Sequence, residues 1–414
     1  MRRPLVAFLS AEMLSMTGSQ LSFVTIPWLV LVTTGSAAQT GLVSLAEMAP
    51  YVLAGLLGGP LVDRFGPRRA VLTAEISSAV AVAAIPVLHS LGALSFPLLL
   101  GLVAVVGTLR GVSDTSKRTL LPRAAEASSV PMDRATSLYD GVTRSATLLA
   151  LPLSGVLILW MGAANVLYID AASFLVSAAL VAGYLRVGGT SATDPDGPRE
   201  RYVSSLLVGL SYLRRDRLVL GIVGLVFMTN LFDQAYAVVF VPVWVRDTLG
   251  NVGALGFLGG AFGLGAVVGN VVYAALQQRL SRFATLGVCF LLGGSSRLFA
   301  LVLTDGLWVA VSVSFAAGIL MSTVNPIMSS TAYERVPQEM HGRVLGAIGA
   351  LTWAGMPIGG VLAGWAVEAI GLTAALLCAA TGYLLVTLLP FVFPVWRQLD
   401  DRRQAGDTEP VPSR

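Results

Sequence analysis

The sequence predicts an all-α integral membrane protein with twelve transmembrane helices in two six-helix bundles and both termini cytoplasmic. Three observations carry this. Hydrophobic residues make up 55% of the 414-residue chain and charged residues only 12%, about half the share of a soluble domain, and mean hydropathy is +0.77. The apolar residues gather into twelve runs, each long enough to cross about 30 Å of hydrocarbon as a helix. The basic residues sort to one side of those runs. Such a composition excludes a soluble enzyme, a nucleic-acid-binding protein and a disordered chain.

Between punctuation by Gly, Pro and charge, the runs cover 5–32, 38–62, 70–90, 95–117, 134–160, 164–186, 218–243, 252–277, 283–303, 307–331, 343–368 and 371–396. Their periodicity is helical, unlike the alternating segments of an outer-membrane barrel. Met1-Arg2-Arg3 imitates the start of a signal peptide. The apolar stretch behind it is too long for such a peptide and no clear cleavage site follows, so it reads as a retained first span. Loops are short except after the sixth run, where residues 187–203 are rich in Gly, Pro and Asp. A basic amphipathic stretch, Tyr202 to Arg217, follows and is expected to lie along the inner face. The expected organisation is an N-terminal bundle (1–187), a cytoplasmic linker with the amphipathic stretch (188–217), a C-terminal bundle (218–396) and a cytoplasmic tail (397–414).

With the N-terminus inside, 23 of the 27 Lys and Arg residues fall on the inner side; Arg246 alone lies outside, and Arg110, Arg144 and Arg297 lie within runs. The net charge of +4 is therefore a topogenic signal of a multi-pass protein in the cell inner (plasma) membrane, and not a nucleic-acid patch. Cys289 and Cys378 sit in apolar runs with no disulfide or metal spacing. His89 and His341 sit in loops without metal-ligand company. No G-x-x-x-x-G-K-[ST] phosphate loop occurs. No metal or cofactor is expected, and the working unit is expected to be a monomer.

The two halves echo each other. Pro152-Leu153-Ser154-Gly155-Val156-Leu157 in the fifth run matches Pro357-Ile358-Gly359-Gly360-Val361-Leu362 in the eleventh at an offset of 205, and Trp160 and Trp365 share that offset. Gly55 and Gly59 correspond to Gly265 and Gly269 at an offset of 210. Six plus six spans in one orientation form a parallel repeat about an axis along the membrane normal, which suggests a central cavity and alternating access.

The loop after the second run reads Gly59-Pro60-Leu61-Val62-Asp63-Arg64-Phe65-Gly66-Pro67-Arg68-Arg69. It resembles the G-x-L-x-D-R-x-G-R-R/K signature of the major facilitator superfamily, and the resemblance spans residues 5–396. LVTTGSAAQTG (31–41), Tyr168-Ile169-Asp170-Ala171-Ala172-Ser173-Phe174, and Arg335-Val336-Pro337 with Gly342-Arg343-Val344 resemble the drug:proton antiporter branch that includes macrolide-efflux and siderophore-export proteins. That resemblance implies export driven by protons. Two departures stand out. Pro67 replaces the family's Arg, and the antiporter signature of the fifth run is degraded between Leu148 and Gly155, while Gly355-Met356-Pro357-Ile358-Gly359-Gly360 keeps it better.

From the resemblance follows a conformational switch of Gly59, Asp63, Arg64, Gly66, Arg68, Asp114 and Arg343. In it Asp63 caps the start of the eleventh span near Arg343 and is held by Arg68 and by Asp114 or Arg118. Charges inside spans are costly, roughly 2.5–3.5 kcal/mol on insertion scales, and so point to function. The proton-coupling candidates are Asp140, Arg144, Glu47, Asp233 and Asp170. Asp140 and Arg144, four residues apart, share one helix face and read either as a proton-responsive pair or as a permanent salt bridge. Glu47 and Asp233 read as cavity acids, and Asp170 as a coupling acid or a packing residue. Glu12 and Glu75 are expected to pair with inner-face arginines, Arg110 with either of them or with substrate, and Arg297 is expected to be structural. Candidates for the substrate cavity are Arg110, Tyr51, Tyr139, Asn230, Phe232, Gln234, Tyr236, Asn325 and Trp353.

The expected function is proton-coupled efflux of lipophilic drugs or natural products, with the bilayer, protons and a small amphipathic or cationic substrate as partners and no nucleic acid. A facilitator or importer of an amphipathic metabolite is the alternative. A membrane receptor or enzyme on the same scaffold is the remaining one, although no nucleophile motif, metal cluster or sensory domain supports it.

Overall fold

A computed structural model describes residues 3–185 and 202–401, apart from the side chains of residues 60, 61, 63, 202–208 and 342. The expected linker residues 188–201 and the tail from residue 402 lie outside the described residues. Twelve helices are long and apolar enough to cross a membrane, from Arg3–Thr34 to Leu372–Val392; they are numbered here as spans one to twelve.

The expected boundaries shift where a charge was taken as punctuation. Span four runs from Phe96 to Ala127, well past Lys117, and span seven from Arg217 to Leu249. A charged side chain does not end a helix when a partner on a neighbouring helix receives it. Proline shapes the rest. In span seven, π-helical turns at Tyr236–Phe240 and Val245–Leu249 flank a segment containing Pro242, where the ring would crowd an ordinary turn. Span ten divides into Leu307–Met321 and Val324–Arg335. The break falls just before Asn325-Pro326, because Pro326 offers no N–H to the Ser322 carbonyl. Span eleven divides at Ala354, since Pro357 has none for the Trp353 carbonyl.

The chain forms two compact units. The first comprises Met1–Gly197, Gln234–Gly260 and Met356–Ala369. In it span one packs on spans five and six, span two on four, and span three on four and six. Leu5, Phe8, Val71, Leu120, Tyr139 and Val181 form its core. At the end where spans one and two join, the far end, parts of spans seven, eight and eleven belong to the same unit. Glycines make this possible, because bare backbones can approach closely. A Cβ on Gly155 of span five would lie 2.7 Å from the Gly256 nitrogen of span eight. Gly41 of span two faces the Gly360 carbonyl of span eleven, and Gly364 faces that of Ala37. Glu368, near the end of span eleven, accepts hydrogen bonds from the Ser36 hydroxyl at 2.5 Å and the Ala38 N–H at 3.0 Å. A carboxylate there suits the positive end of span two. Arg246 donates to the Gly35 carbonyl at 3.1 Å. The expected bundles 1–187 and 218–396 divide the chain by order, whereas these contacts gather segments across that division.

The second unit comprises Pro198–Asp233, Ala261–Gly355 and Ile370–Arg414. Span nine packs on ten and twelve, as span three does on four and six, so the repeat seen in sequence reappears in packing. Asp216 caps span seven, accepting from the N–H groups of Leu218 and Val219 at 3.0 and 3.2 Å, and takes a salt bridge from Arg335 at 3.1 Å. The amphipathic stretch forms a helix, Tyr202–Arg215. It packs on the first part of span eleven, with Leu213 in a cluster with Val219, Val336 and Val344. Tyr212 donates to the Arg335 carbonyl at 2.9 Å.

Candidate functional site

The densest polar constellation of the first unit is built on span four. Arg110, Asp114 and Lys117 stand four and three residues apart, which places them in one stripe down the helix. Arg110 donates to Glu47 of span two at 2.5 Å and lies over the Tyr51 ring, 5.7 Å from its centroid. The Tyr51 hydroxyl donates to Asp114 at 2.9 Å. Span two can come this close because Gly107 and Gly111 of span four face its backbone at Glu47 and Tyr51.

Below this, Lys117 forms salt bridges to Glu75 of span three at 2.8 Å and to Glu12 of span one at 3.2 Å. It also donates to the Ser15 hydroxyl at 2.9 Å. Ser15 and Ser113 both donate to Glu75 Oε1, at 3.1 and 2.7 Å, and Glu75 Oε2 has no hydrogen-bond partner among the described residues. Lys117, Glu12 and Glu75 are all at most 4% exposed. Along the ladder, two cations face four carboxylates. Charges buried in pairs or clusters are far less costly than single ones, but this ladder holds more acid than base. Asp170 of span six adds a further buried carboxylate, with hydroxyl partners in Ser22 and Ser173.

Several sequence-based pairings are corrected. Glu12 and Glu75 meet Lys117 rather than arginines, and Arg110 meets Glu47, which lacked any sequence-local partner. Ending span four at Lys117 had moved that lysine to the membrane surface and hidden the stripe. The i, i+4, i+7 spacing was the signal that could have found it. Asp140 and Arg144 are both exposed on span five, and no salt bridge joins them among the described residues. They share the helix stripe of Leu151 and Gly155, which meet Gly259 and Gly256 of span eight at the far end. Arg297, expected to be structural, donates to Asp233 at 2.6 Å and lies over the Phe262 ring, 4.9 Å from its centroid.

Of the switch residues, Asp63 falls in the short helix Gly59–Phe65, and its side chain lies outside the described residues. Arg68, expected to hold it, donates to the Ala182 carbonyl at 2.8 Å, and Asp114 is taken by Tyr51. Arg64 lies over the Phe65 ring. Gly66 has φ +80°, and a Cβ on Gly59 would meet nothing within 4 Å. Arg343 belongs to the second unit, beside Val344.

The cavity candidates scatter. Tyr51 belongs to the ladder. Tyr139 is buried against Phe8, ring centroids 6.0 Å apart. Gln234 donates to Ser44 at 2.8 Å, and Tyr236 is buried in the first π turn. In the second unit Asn230 donates to the Thr352 carbonyl at 2.9 Å, Phe232 packs on Tyr383, and Asn325 and Trp353 are exposed. His341, placed by sequence in a loop, is bonded to the Val336 carbonyl and stacked edge-on to Tyr333. At the far end of the first unit, a cavity of about 700 Å³ is lined by Trp28, His89, Ile158 and Val252 among others.

The fold and charge pattern agree with what comparison finds. The model of the transmembrane secretion effector family matches residues 4–411. The multidrug efflux pump Tap of Mycolicibacterium fortuitum is 31% identical, over 96% of this chain and 98% of that protein. Tap of Mycobacterium tuberculosis is 30% identical, over 100% and 98%. Two crystal structures of the nucleoside transporter NupG superpose with TM-scores of 0.78 and 0.74 at 11% identity, each over 94% of this chain, 99% and 98% of theirs; at that identity they speak for the fold alone. The chain is a multi-pass inner-membrane transporter of the major facilitator superfamily and belongs to its transmembrane secretion effector family.

Proposed function

We propose that the protein is a proton-coupled exporter of lipophilic, amphipathic or cationic drugs or natural products, working by alternating access as a monomer. The observation that carries this reading is the span-four ladder, where four carboxylates surround two cations at membrane depth. An excess of buried acid is a place for protons, because each uncompensated charge is costly there. The relatives named as multidrug efflux pumps support the direction and substrate class. With both termini cytoplasmic, as the arginine bias favours, the glycine contacts at the far end form a seal on the outer side. Residues 1–187 and 218–396 would then be the two rocking bundles, with the linker 188–217 and tail 397–414 in the cytoplasm. Asp63 with Arg343 would form the inner switch, supported by Gly59, Arg64, Gly66 and Arg68. Asp140, Arg144 and Asp233 would face the transport path. A ligand shifts such an equilibrium only by its difference in affinity for the two states.

The test is transport in proteoliposomes. Ethidium or tetraphenylphosphonium should be moved against its gradient when a pH gradient is imposed, and collapse of that gradient should stop it. Transport that ignores the gradient would leave a facilitator.

A further inference from the structure

We infer that Glu12 and Glu75 share one exchangeable proton around Lys117, and that this triad is where proton uptake is linked to transport. The inference rests on the proton-coupled reading above and assigns its site to residues for which sequence suggested only arginine partners.

An ammonium has three donors; Lys117 donates to the Ser15 hydroxyl and forms salt bridges to Glu75 and to Glu12, whose Oε2 has no hydrogen-bond partner among the described residues. The cation is fully engaged with two carboxylates, and all three side chains are buried. One positive charge balances one carboxylate. Glu75 Oε1 is served by Lys117, Ser15 and Ser113, while its Oε2 has no hydrogen-bond partner among the described residues. On Glu12, the Thr143 hydroxyl lies 3.5 Å from Oε1 and Tyr139 also hydrogen-bonds to the carboxylate.

Among the described residues the neighbouring elements offer no second buried cation. Span four offers Asp114, which is acidic, and Arg118, which is exposed. Its other cation, Arg110, is engaged by Glu47. Span five offers Tyr139 and Thr143, and span six offers Asp170, another acid. A proton is what remains to balance the second carboxylate. It would arrive from water, form an O–H bond on one carboxylate oxygen and return to water when that bond breaks. Protonated, the triad is neutral; deprotonated, it is an anion beside the partly exposed Asp114 and Tyr51. A cationic substrate near Asp114 is thus favoured by loss of the proton, which is the competition an antiporter requires.

The experiment compares wild type with Glu12→Gln and Glu75→Gln. Each variant leaves Lys117 one carboxylate, so charge balances without a proton. Two quantities are read: gradient-driven accumulation of tetraphenylphosphonium in proteoliposomes against its counterflow without a gradient, and proton release on adding the probe to weakly buffered protein in detergent. Expected are wild-type proton release near one per bound cation, loss of that release in both variants, and accumulation reduced at least tenfold while counterflow falls less than threefold. Glu12→Asp and Glu75→Asp should restore release, separating lost chemistry from lost folding. Gradient-driven accumulation and proton release that persist in either Gln variant overturn the triad. A wild type that ignores the pH gradient overturns the coupled reading itself, a separate outcome.

Discussion

Adding one methyl group to Gly155 should loosen the far-end junction of spans five and eight. Its Cβ would lie 2.7 Å from the Gly256 nitrogen and 2.8 Å from the Gly256 Cα. Ordinary contacts lie near 3.5–4.0 Å, so the helices must part by several tenths of an ångström to about 1 Å. Both neighbours are backbone atoms and cannot rotate aside, and such overpacking costs about 1–3 kcal/mol. Gly141→Ala is the control, on the same helix, where a Cβ meets nothing within 4 Å. Both changes gain the same helix propensity, about 1 kcal/mol, so their difference isolates the contact. Thermal unfolding in detergent should place Gly155→Ala several degrees below Gly141→Ala. A coupling of this size changes the balance of two transporter states by about 5–150-fold, so the probe's transport rate should change as well. Equal stability of the two variants would refute the claim that bare-backbone approach holds this end together.

Three further outcomes follow from the charges. Arg110→Ala should cost about 3–5 kcal/mol by leaving Glu47 buried without its cation, and Arg110→Ala with Glu47→Ala should recover part of that, as a double-mutant cycle in detergent unfolding would measure. Glu368→Ala should lower stability by about 0.3–1 kcal/mol through the lost charge at the start of span two, an effect that raised salt should shrink in the wild type, since Glu368 is exposed. Asp140→Asn and Arg144→Ala should each change stability by less than about 0.5 kcal/mol, as exposed groups with no salt bridge among the described residues do; an accompanying loss of probe transport would then report a direct role on the transport path.

Much of this protein is written in hydropathy and charge placement. The number of spans, the parallel repeat and the basic asymmetry are readable because lipid imposes its cost residue by residue, independent of neighbours. The same local reading placed Gly155 and Gly360 in matching motifs. It was blind to partners. Glu47 and Arg110 are 63 residues apart, and Glu12 is more than a hundred from Lys117, so only packing of spans one to four decides that they meet. Lys117 also looked like the end of a span, since charge is a boundary signal until a neighbouring helix supplies a carboxylate. The sequence alone determined that this chain crosses the membrane twelve times and carries costly acids inside it. Tertiary structure decided which acids share which cation, because the electrostatics of buried groups depend on distances of a few ångströms that helical periodicity cannot specify between helices.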